Sequence, residues 1–311
     1  MSILSIVIPA YNESVLVNRM FACIGDIMSE TNLNYEIIFV DDGSSDDTWF
    51  HIETLSNYTN SVVGVKLSRN FGKEGAILAG LTYAVGEAVI IIDCDMQHPV
   101  EKILDMVRIW QSDANIDVIE AIKSKRGDES KFYALFSKIF YATLKHIGNV
   151  ELENRSDFQL LSRRVVEAIL RLPENQRFFR GLSAWVGFNR AEIYFDVAPR
   201  MQGTTKWSFL SSFKYAIANI TSFSTAPLQI VTLLGIIFLL AATLLGGQTI
   251  VSYITNRSVE GFTTVILLLL TIGGLMLIAL GIIGVYIAKI YEEVKRRPNF
   301  LVSKVSKKGT A

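Results

Sequence analysis

The chain has 311 residues, half of them hydrophobic, and its 30 basic and 30 acidic side chains cancel to a formal net charge of zero. That length exceeds one small domain and falls short of three. No long basic stripe with interleaved aromatics occurs, which argues against nucleic acid as a partner. The two cysteines, Cys23 and Cys94, sit in apolar surroundings and suggest neither a disulfide framework nor a zinc site.

The first residues lack the basic-then-apolar pattern of a secretory signal. Residues 4–9 read as a buried strand, 10–13 as a turn, and 14–28 carry helical spacing. A second strand over 36–40 ends at Asp41-Asp42-Gly43-Ser44, and Ser45 or Asp46 is placed to cap the following helix. A third strand over 62–67 ends at Ser68-Arg69-Asn70-Phe71-Gly72-Lys73 and leads into a helix over 74–85. A fourth over 87–92 precedes a helix over 99–110, which Pro99 opens because its missing N–H costs nothing there. A fifth strand is expected over 116–122. Such alternation predicts an α/β fold with a doubly wound parallel sheet, whose ligands bind beyond the carboxyl ends of the strands. The polar clusters at 9–13, 41–44, 69–73 and 93–95 all fall at those ends. There is no G-x-G-x-x-G and no P-loop, which disfavours a dinucleotide fold or an NTPase.

Asp93-Cys94-Asp95 closes the fourth strand. Residues two apart on a strand point to one side, so the two carboxylates leave the strand together and repel unless a positive group lies between them. A hard divalent cation with oxygen ligands and bound phosphates meets that need.

Further on, residues 131–145 predict an amphipathic helix with Phe132, Leu135, Phe136, Ile139 and Phe140 on its apolar face, read as core packing. Residues 154–158 read as a polar break between elements, and 163–170 as a short helix. Arg177-Phe178-Phe179-Arg180-Gly181 leads to Trp185, and residues 200–207 form a basic, glycine-containing loop. No charged residue occurs over 215–256 or 262–288. Residues 228–247 and 262–288 each meet the need of a bilayer core for about 20 apolar residues, and the loop at 255–261 makes them a hairpin. From Lys289 onward there are seven basic and two acidic residues, a net of +5 that marks the cytoplasmic side. The hairpin returns residues 1–214 to that same side. The expected organisation is a cytosolic catalytic domain over 1–204, an amphipathic juxtamembrane segment over 205–225, two spans within 226–288 and a basic tail over 289–311. The apolar stretch at 299–305 is expected to add a strand to a neighbouring subunit.

A cytosolic sheet with a metal-ready acidic pair beside an apolar hairpin suggests a soluble donor and a lipid acceptor. The metal would act as a Lewis acid on a diphosphate leaving group, with Arg and Lys stabilising developing charge. The stretches VIPAYNE (7–13), DDGS (41–44), LSRNFGKE (67–74), DCDMQHP (93–99), SDF (156–158), RFFRGLSAWVG (177–187) and RMQGTTKW (200–207) carry a resemblance. Together they resemble the polyprenyl-phosphate glycosyltransferases of glycosyltransferase family 2, from residue 6 to the end of the second span. Those include dolichyl-phosphate mannose synthases and bacterial undecaprenyl-phosphate glucosyltransferases, and the two-span tail looks most like the bactoprenol type.

The resemblance implies a glycosyltransferase A-type fold and inverting, Mg²⁺- or Mn²⁺-dependent transfer from a nucleotide-sugar, glucose from UDP-glucose, to undecaprenyl phosphate. It implies a multi-pass protein of the bacterial inner membrane with its catalytic domain in the cytosol, and a homo-oligomer, a tetramer by analogy. By the same analogy Pro9, Tyr11, Glu13 and Asp41 line the nucleotide pocket. Asp93 and Asp95 hold nucleotide and metal with Gln97 nearby, and Asp157 matches the proposed catalytic acid. Arg200, Lys206 and Arg126 match phosphate-contacting positions. The chain departs from the usual pattern at Ser156 (commonly Gly), Gln159 (Arg), His98 (Asp) and Thr205 (Ser). Two alternatives stay open: another donor such as GDP-mannose, and a membrane-anchored nucleotide-sugar-binding protein without catalysis. A processive polysaccharide synthase is disfavoured because Q-x-x-R-W is absent. Asp157 itself reads two ways, as a group orienting an Arg or Lys that holds phosphate, or as a general base.

Overall fold

The structure is a computed structural model that describes residues 3–124, 155–175, 177–196, 226–255 and 261–308. It divides into two units, residues 1–208 with 297–311, and residues 209–296.

The first unit is built on one eight-stranded sheet. In chain order its elements are β1 (Ile3–Ala10), α1 (Ser14–Ser29), β2 (Asn34–Asp41), α2 (Thr48–Tyr58), β3 (Val62–Leu67), α3 (Lys73–Tyr83), β4 (Ala88–Ile91), α4 (Lys102–Ser112) and β5 (Val118–Lys123). There follow β6 (Arg155–Ser162), α5 (Arg163–Arg171), α6 (Phe179–Trp185), β7 (Arg190–Phe195) and, after the second unit, β8 (Val302–Lys307). The strand order is β7-β5-β6-β4-β1-β2-β3-β8.

Strand alternation divides the core between the two faces of the sheet. Leu4, Ile6 and Ile8 of β1 pack with Leu16, Met20 and Ile24 of α1 and with Ile103 and Met106 of α4. Val7 of β1, Ile38 and Val40 of β2 and Val65 of β3 pack on the other face with Ala76 and Ile77 of α3 and Val165 and Ile169 of α5. These side chains are buried, each at about 1.5–3 kcal/mol for full burial of a Val, Leu or Ile. At Gly80 of α3 an added Cβ would stand 2.1 Å from Val7 Cγ1, so the helix can lie this close to β1 only without a side chain there.

β1 to β4 form the parallel half that the strand–helix alternation predicts. The other half is mixed. β6 runs antiparallel to both β4 and β5, and β5 is parallel to β7. Residues 155–158, expected to be part of a polar break, are the start of β6. The strand buries its polar groups with partners: Ser156 Oγ donates to Ala121 O at 2.7 Å, and Gln159 Nε2 to Ser156 O at 3.1 Å. Without a run of β-branched residues it did not read as a strand.

A second difference concerns the tail. Residues 302–307 are an antiparallel strand on β3 of the same chain, with Val65 opposite Val305. Ser68 N donates to Leu301 O at 2.8 Å, buried Ser306 Oγ meets Ser56 Oγ at 2.7 Å, and Lys304 pairs with Glu53 at 2.5 Å. β3 would otherwise offer an open row of backbone donors and acceptors, and β8 satisfies them.

The second unit contains α7 (Ala226–Ile254) and α8 (Phe262–Lys295). Within them Val231–Ser252 and Thr271–Lys295, 22 and 25 residues, are long and apolar enough to cross a membrane. Large apolar side chains such as Leu239 and Leu277 are 68% and 72% exposed, so no described part of the protein covers them. The expected amphipathic helices at 131–145 and 205–223 lie outside the described residues.

Candidate active site

The carboxyl ends of β1, β2, β3 and β4 meet at one edge of the sheet, and β6, running the other way, brings its first residues to the same edge: Gln159 lies opposite Ile91. Five short stretches therefore converge. Asp42 N donates to Ala10 O at 2.9 Å, tying the ends of β1 and β2. Asp41 is fully buried; its Oδ1 accepts from Ser44 N at 2.9 Å, and its Oδ2 has no hydrogen-bond partner among the described residues. Asn12 takes a left-handed conformation (φ 57°), which its short amide tolerates, and its Oδ1 accepts from Ser45 N at 2.9 Å. Tyr11 is exposed, Pro9 lies opposite Val40, and Glu13 N donates to Thr48 Oγ1 at 2.8 Å.

Asp42 clamps the next loop. Its two oxygens accept from Phe71 N at 2.7 Å and Gly72 N at 2.9 Å. Burial pushes its carboxyl up, and those two N–H groups offset part of the push. Gly43 has φ +68°, and a Cβ there would stand 2.4 Å from Arg69 C and 2.6 Å from Asn70 N. The loop carrying Lys73 thus rests on a position only glycine can fill. Gly43→Ala is expected to cost about 1–3 kcal/mol and to cut transferase activity with it, read from the thermal midpoint and an activity assay. An unchanged midpoint would show that the 69–70 backbone moves aside freely.

After β4 the chain turns through Met96, a non-glycine residue at φ +58°. Such strain is found where side chains must be aimed, and this turn holds Asp95 Oδ1 at 3.0 Å from Gln97 N. One ligand atom each from Asp93, Asp95 and His98 lie within 4.8 Å of one another. Hard carboxylate oxygens and an imidazole are a donor set that suits a divalent cation. Burial, helped by the charges of Glu13, Asp95 and Asp93, holds the thiol of Cys94, between the acids, well above its usual range.

Lys73, the first residue of α3, joins the strand ends. Its Nζ lies 2.6 Å from Asp93 Oδ1 and 2.6 Å from Asp157 Oδ2. Asp157, only 6% exposed, also accepts from Arg180 Nε of α6 at 2.7 Å. Burial alone would raise the Asp157 carboxyl, but Lys73 and Arg180 outweigh it and hold it well below the usual carboxylate range. Burial would likewise lower Lys73, and Asp157 and Asp93 more than reverse it. Glu74 accepts from Phe179 N at 2.8 Å, which fixes the start of α6 and so Arg180. Burial and then the charge of Asp157 push the Glu74 carboxyl up to about 7.

Of the residues expected from sequence, Asp93, Asp95 and Asp157 thus converge, with Asp93 and Asp157 linked by Lys73. Asp41 and Gln97 stand at the same strand ends. Arg126, Arg200 and Lys206 lie outside the described residues. Lys73, Glu74, Arg180 and the Asp42 clamp were not assigned roles from sequence. A carboxylate on a buried strand requires cations, but residues 154–158 read as a polar break, so that requirement did not single out Lys73 and Arg180.

Residues 5–170 match the family described as glycosyl transferase family 2. The chain belongs to glycosyltransferase family 2. This family 2 enzyme is 40% identical over 302 residues to an uncharacterized glycosyltransferase of Synechocystis sp., covering 96% of this chain and 94% of that one. It is 34% identical over 306 residues to a prophage bactoprenol glucosyl transferase homolog of Escherichia coli (98% and 99% covered). It is 34% identical over 307 residues to the bactoprenol glucosyl transferase of Shigella phage SfV (98% and 99%). Among solved structures it resembles glucosyl-3-phosphoglycerate synthase from Mycobacterium tuberculosis in complex with Mn²⁺ and UDP-glucose, with TM-score 0.50 and 20% identity over 71% of this chain and 79% of that one. That likeness shows a shared glycosyltransferase A-type fold. The family 2 chain is a glycosyltransferase.

Proposed function

We propose that this enzyme transfers glucose from UDP-glucose to undecaprenyl phosphate at the cytoplasmic face of the bacterial inner membrane, with inversion at the anomeric carbon. The observation that carries the reading is the pairing, in one chain, of a carboxylate-and-lysine site at the strand ends with two helices long enough to cross a bilayer. Near-full-length similarity to proteins named bactoprenol glucosyl transferase supports the lipid acceptor.

In this reading an acceptor phosphate oxygen attacks the anomeric carbon from the face opposite the leaving diphosphate. One C–O bond forms and one breaks, giving a sugar phosphodiester and a nucleoside diphosphate, and no enzyme nucleophile is needed. Asp93 and Asp95 would hold Mg²⁺ or Mn²⁺, which supplies Lewis-acid neutralisation of the diphosphate. Asp41 fixes the Gly43 turn through Ser44 and would line the nucleotide pocket. Asp157 keeps Lys73 charged and orients it together with Arg180, so that two cations would stand where phosphate charge gathers. Arg126, Arg200 and Lys206 would add phosphate contacts, and the two apolar helices would keep the enzyme at the membrane that holds its lipid acceptor.

The test is a panel of nucleotide-sugars, each radiolabelled in the sugar, incubated with full-length enzyme and polyprenyl phosphate. Label in the lipid fraction from UDP-glucose is the expected result. Label from GDP-mannose instead would overturn the donor, and label confined to water-soluble products would overturn the acceptor. Chelation with excess EDTA is expected to abolish transfer, with recovery on adding Mn²⁺ or Mg²⁺. Full activity in chelator would remove the cation from the reading.

A further inference from the structure

His98 stands beside the acidic pair, and packing alone does not account for its orientation. The residue is only 6% exposed, and its ring packs against Phe158 and Phe195, each centroid 5.4 Å away. A phenyl ring would serve that packing equally well. The imidazole instead turns Nδ1 inward, where it is buried without a hydrogen-bond partner among the described residues. An unpaired buried nitrogen is a standing cost to the fold. Its neighbour there is Asp93 Oδ2, 3.8 Å away, beyond hydrogen-bonding range. Two donor atoms each about 2.0–2.2 Å from a shared ion stand roughly 3–4.3 Å apart, so the separation suits common ligation. Asp95 completes a trio whose donor atoms lie within 4.8 Å of one another.

We propose that His98 is, through Nδ1, a nitrogen ligand of the divalent cation held by Asp93 and Asp95, and that this mixed imidazole–carboxylate site selects Mn²⁺ over Mg²⁺. The proposal rests on the reading above that the acidic pair holds a cation. Its chemistry follows from the donors. Mg²⁺ favours oxygen ligands and retained water, whereas Mn²⁺, which also suits carboxylates, is the softer ion and accepts an imidazole nitrogen more readily. Lys73 already neutralises much of the Asp93 charge. A neutral third ligand therefore adds affinity without adding a third anion to repel the substrate diphosphate.

The experiment uses the full-length enzyme in detergent with Mn²⁺ as the probe, alone and with UDP. The chain has three histidines, so labelling them all with ¹⁵N leaves few sources of a nitrogen signal. Pulsed EPR of the bound Mn²⁺ is expected to show a ¹⁴N coupling that converts to ¹⁵N on labelling. It should vanish in His98→Phe, which preserves a ring packed against Phe158 and Phe195. The same variant should weaken Mn²⁺ binding by roughly tenfold to a hundredfold and Mg²⁺ binding by less than about twofold, while His98→Asp should reverse the preference. Mn²⁺ bound without nitrogen coupling in the unmutated enzyme would overturn the proposal and leave the acidic-pair reading standing. No Mn²⁺ binding with or without UDP would overturn both. The deciding spectrum comes from the unmutated protein, so poor folding of a variant does not obscure it.

Discussion

Asp157→Asn is expected to lower sugar transfer by about a hundredfold or more, and raising the pH is expected not to restore it. The acceptor in the proposed reaction is a phosphate monoester with a second pKa of about 6. Above neutral pH it needs no base to become a nucleophile. Asp157 in turn is held by Lys73 and Arg180 well below the usual carboxylate range, a poor starting point for a general base near neutrality. Its value lies in the two cations it orients. Asparagine keeps the shape but loses the charge that holds both, and that loss is independent of pH. Transfer by Asp157→Asn measured from pH 6 to 9 decides the matter, and near-normal rates at the alkaline end would make the residue a base. Stability follows the same logic with a defined sign. A carboxyl whose folded-state pKa is depressed contributes stability above its unfolded pKa and loses it as pH falls through the acid range. The mutant should therefore unfold more easily than wild type at pH 7, and the gap should close in acid.

Lys73→Met is the second large effect. One ammonium serves both Asp93 and Asp157 at 2.6 Å. Removing it leaves two carboxylates facing each other beside the substrate diphosphate. Like charges raise carboxyl pKa values, so the acid limb of the pH–rate profile should move to higher pH, whereas a simple loss of binding would leave it in place. Transfer should fall by about two orders of magnitude or more, with partial rescue in Lys73→Arg, which retains the charge in a bulkier fork. The lysine side chain is 40% exposed, so the accompanying loss of thermal stability should be modest. An unshifted profile in Lys73→Met would show that the lysine does not control the acids.

Much of this site was legible before any coordinates. Residues 93–95 were legible because a hydrophobic strand stops abruptly at two acids of matching parity, and the 41–44 and 69–73 clusters because they end neighbouring strands. β6 was not, since Ser156, Asp157 and Gln159 find their partners only across the sheet, and no local period records that. Lys73 and Arg180 illustrate the same limit. They are 107 positions apart in sequence and converge on one carboxylate only because β6 inserts antiparallel beside β4. The need for cations around Asp157 was readable, but not their identity. β8 was missed for a different reason: an apolar stretch after a membrane helix reports that it can pair as a strand, and says nothing about which edge will take it.

That last strand has a consequence for how the protein is made. Translation delivers β3 early and its partner β8 only after α7 and α8 have left the ribosome. Until then the nascent catalytic unit carries an open edge, and Ser68, at the mouth of the loop that holds Lys73, lacks the Leu301 carbonyl that secures it. Chains that stall or are cut within the apolar helices carry every acid of the site and still cannot close the sheet. The sheet gains its last strand only once the apolar segments have been synthesised, so completion of the catalytic unit is tied to completion of the whole chain.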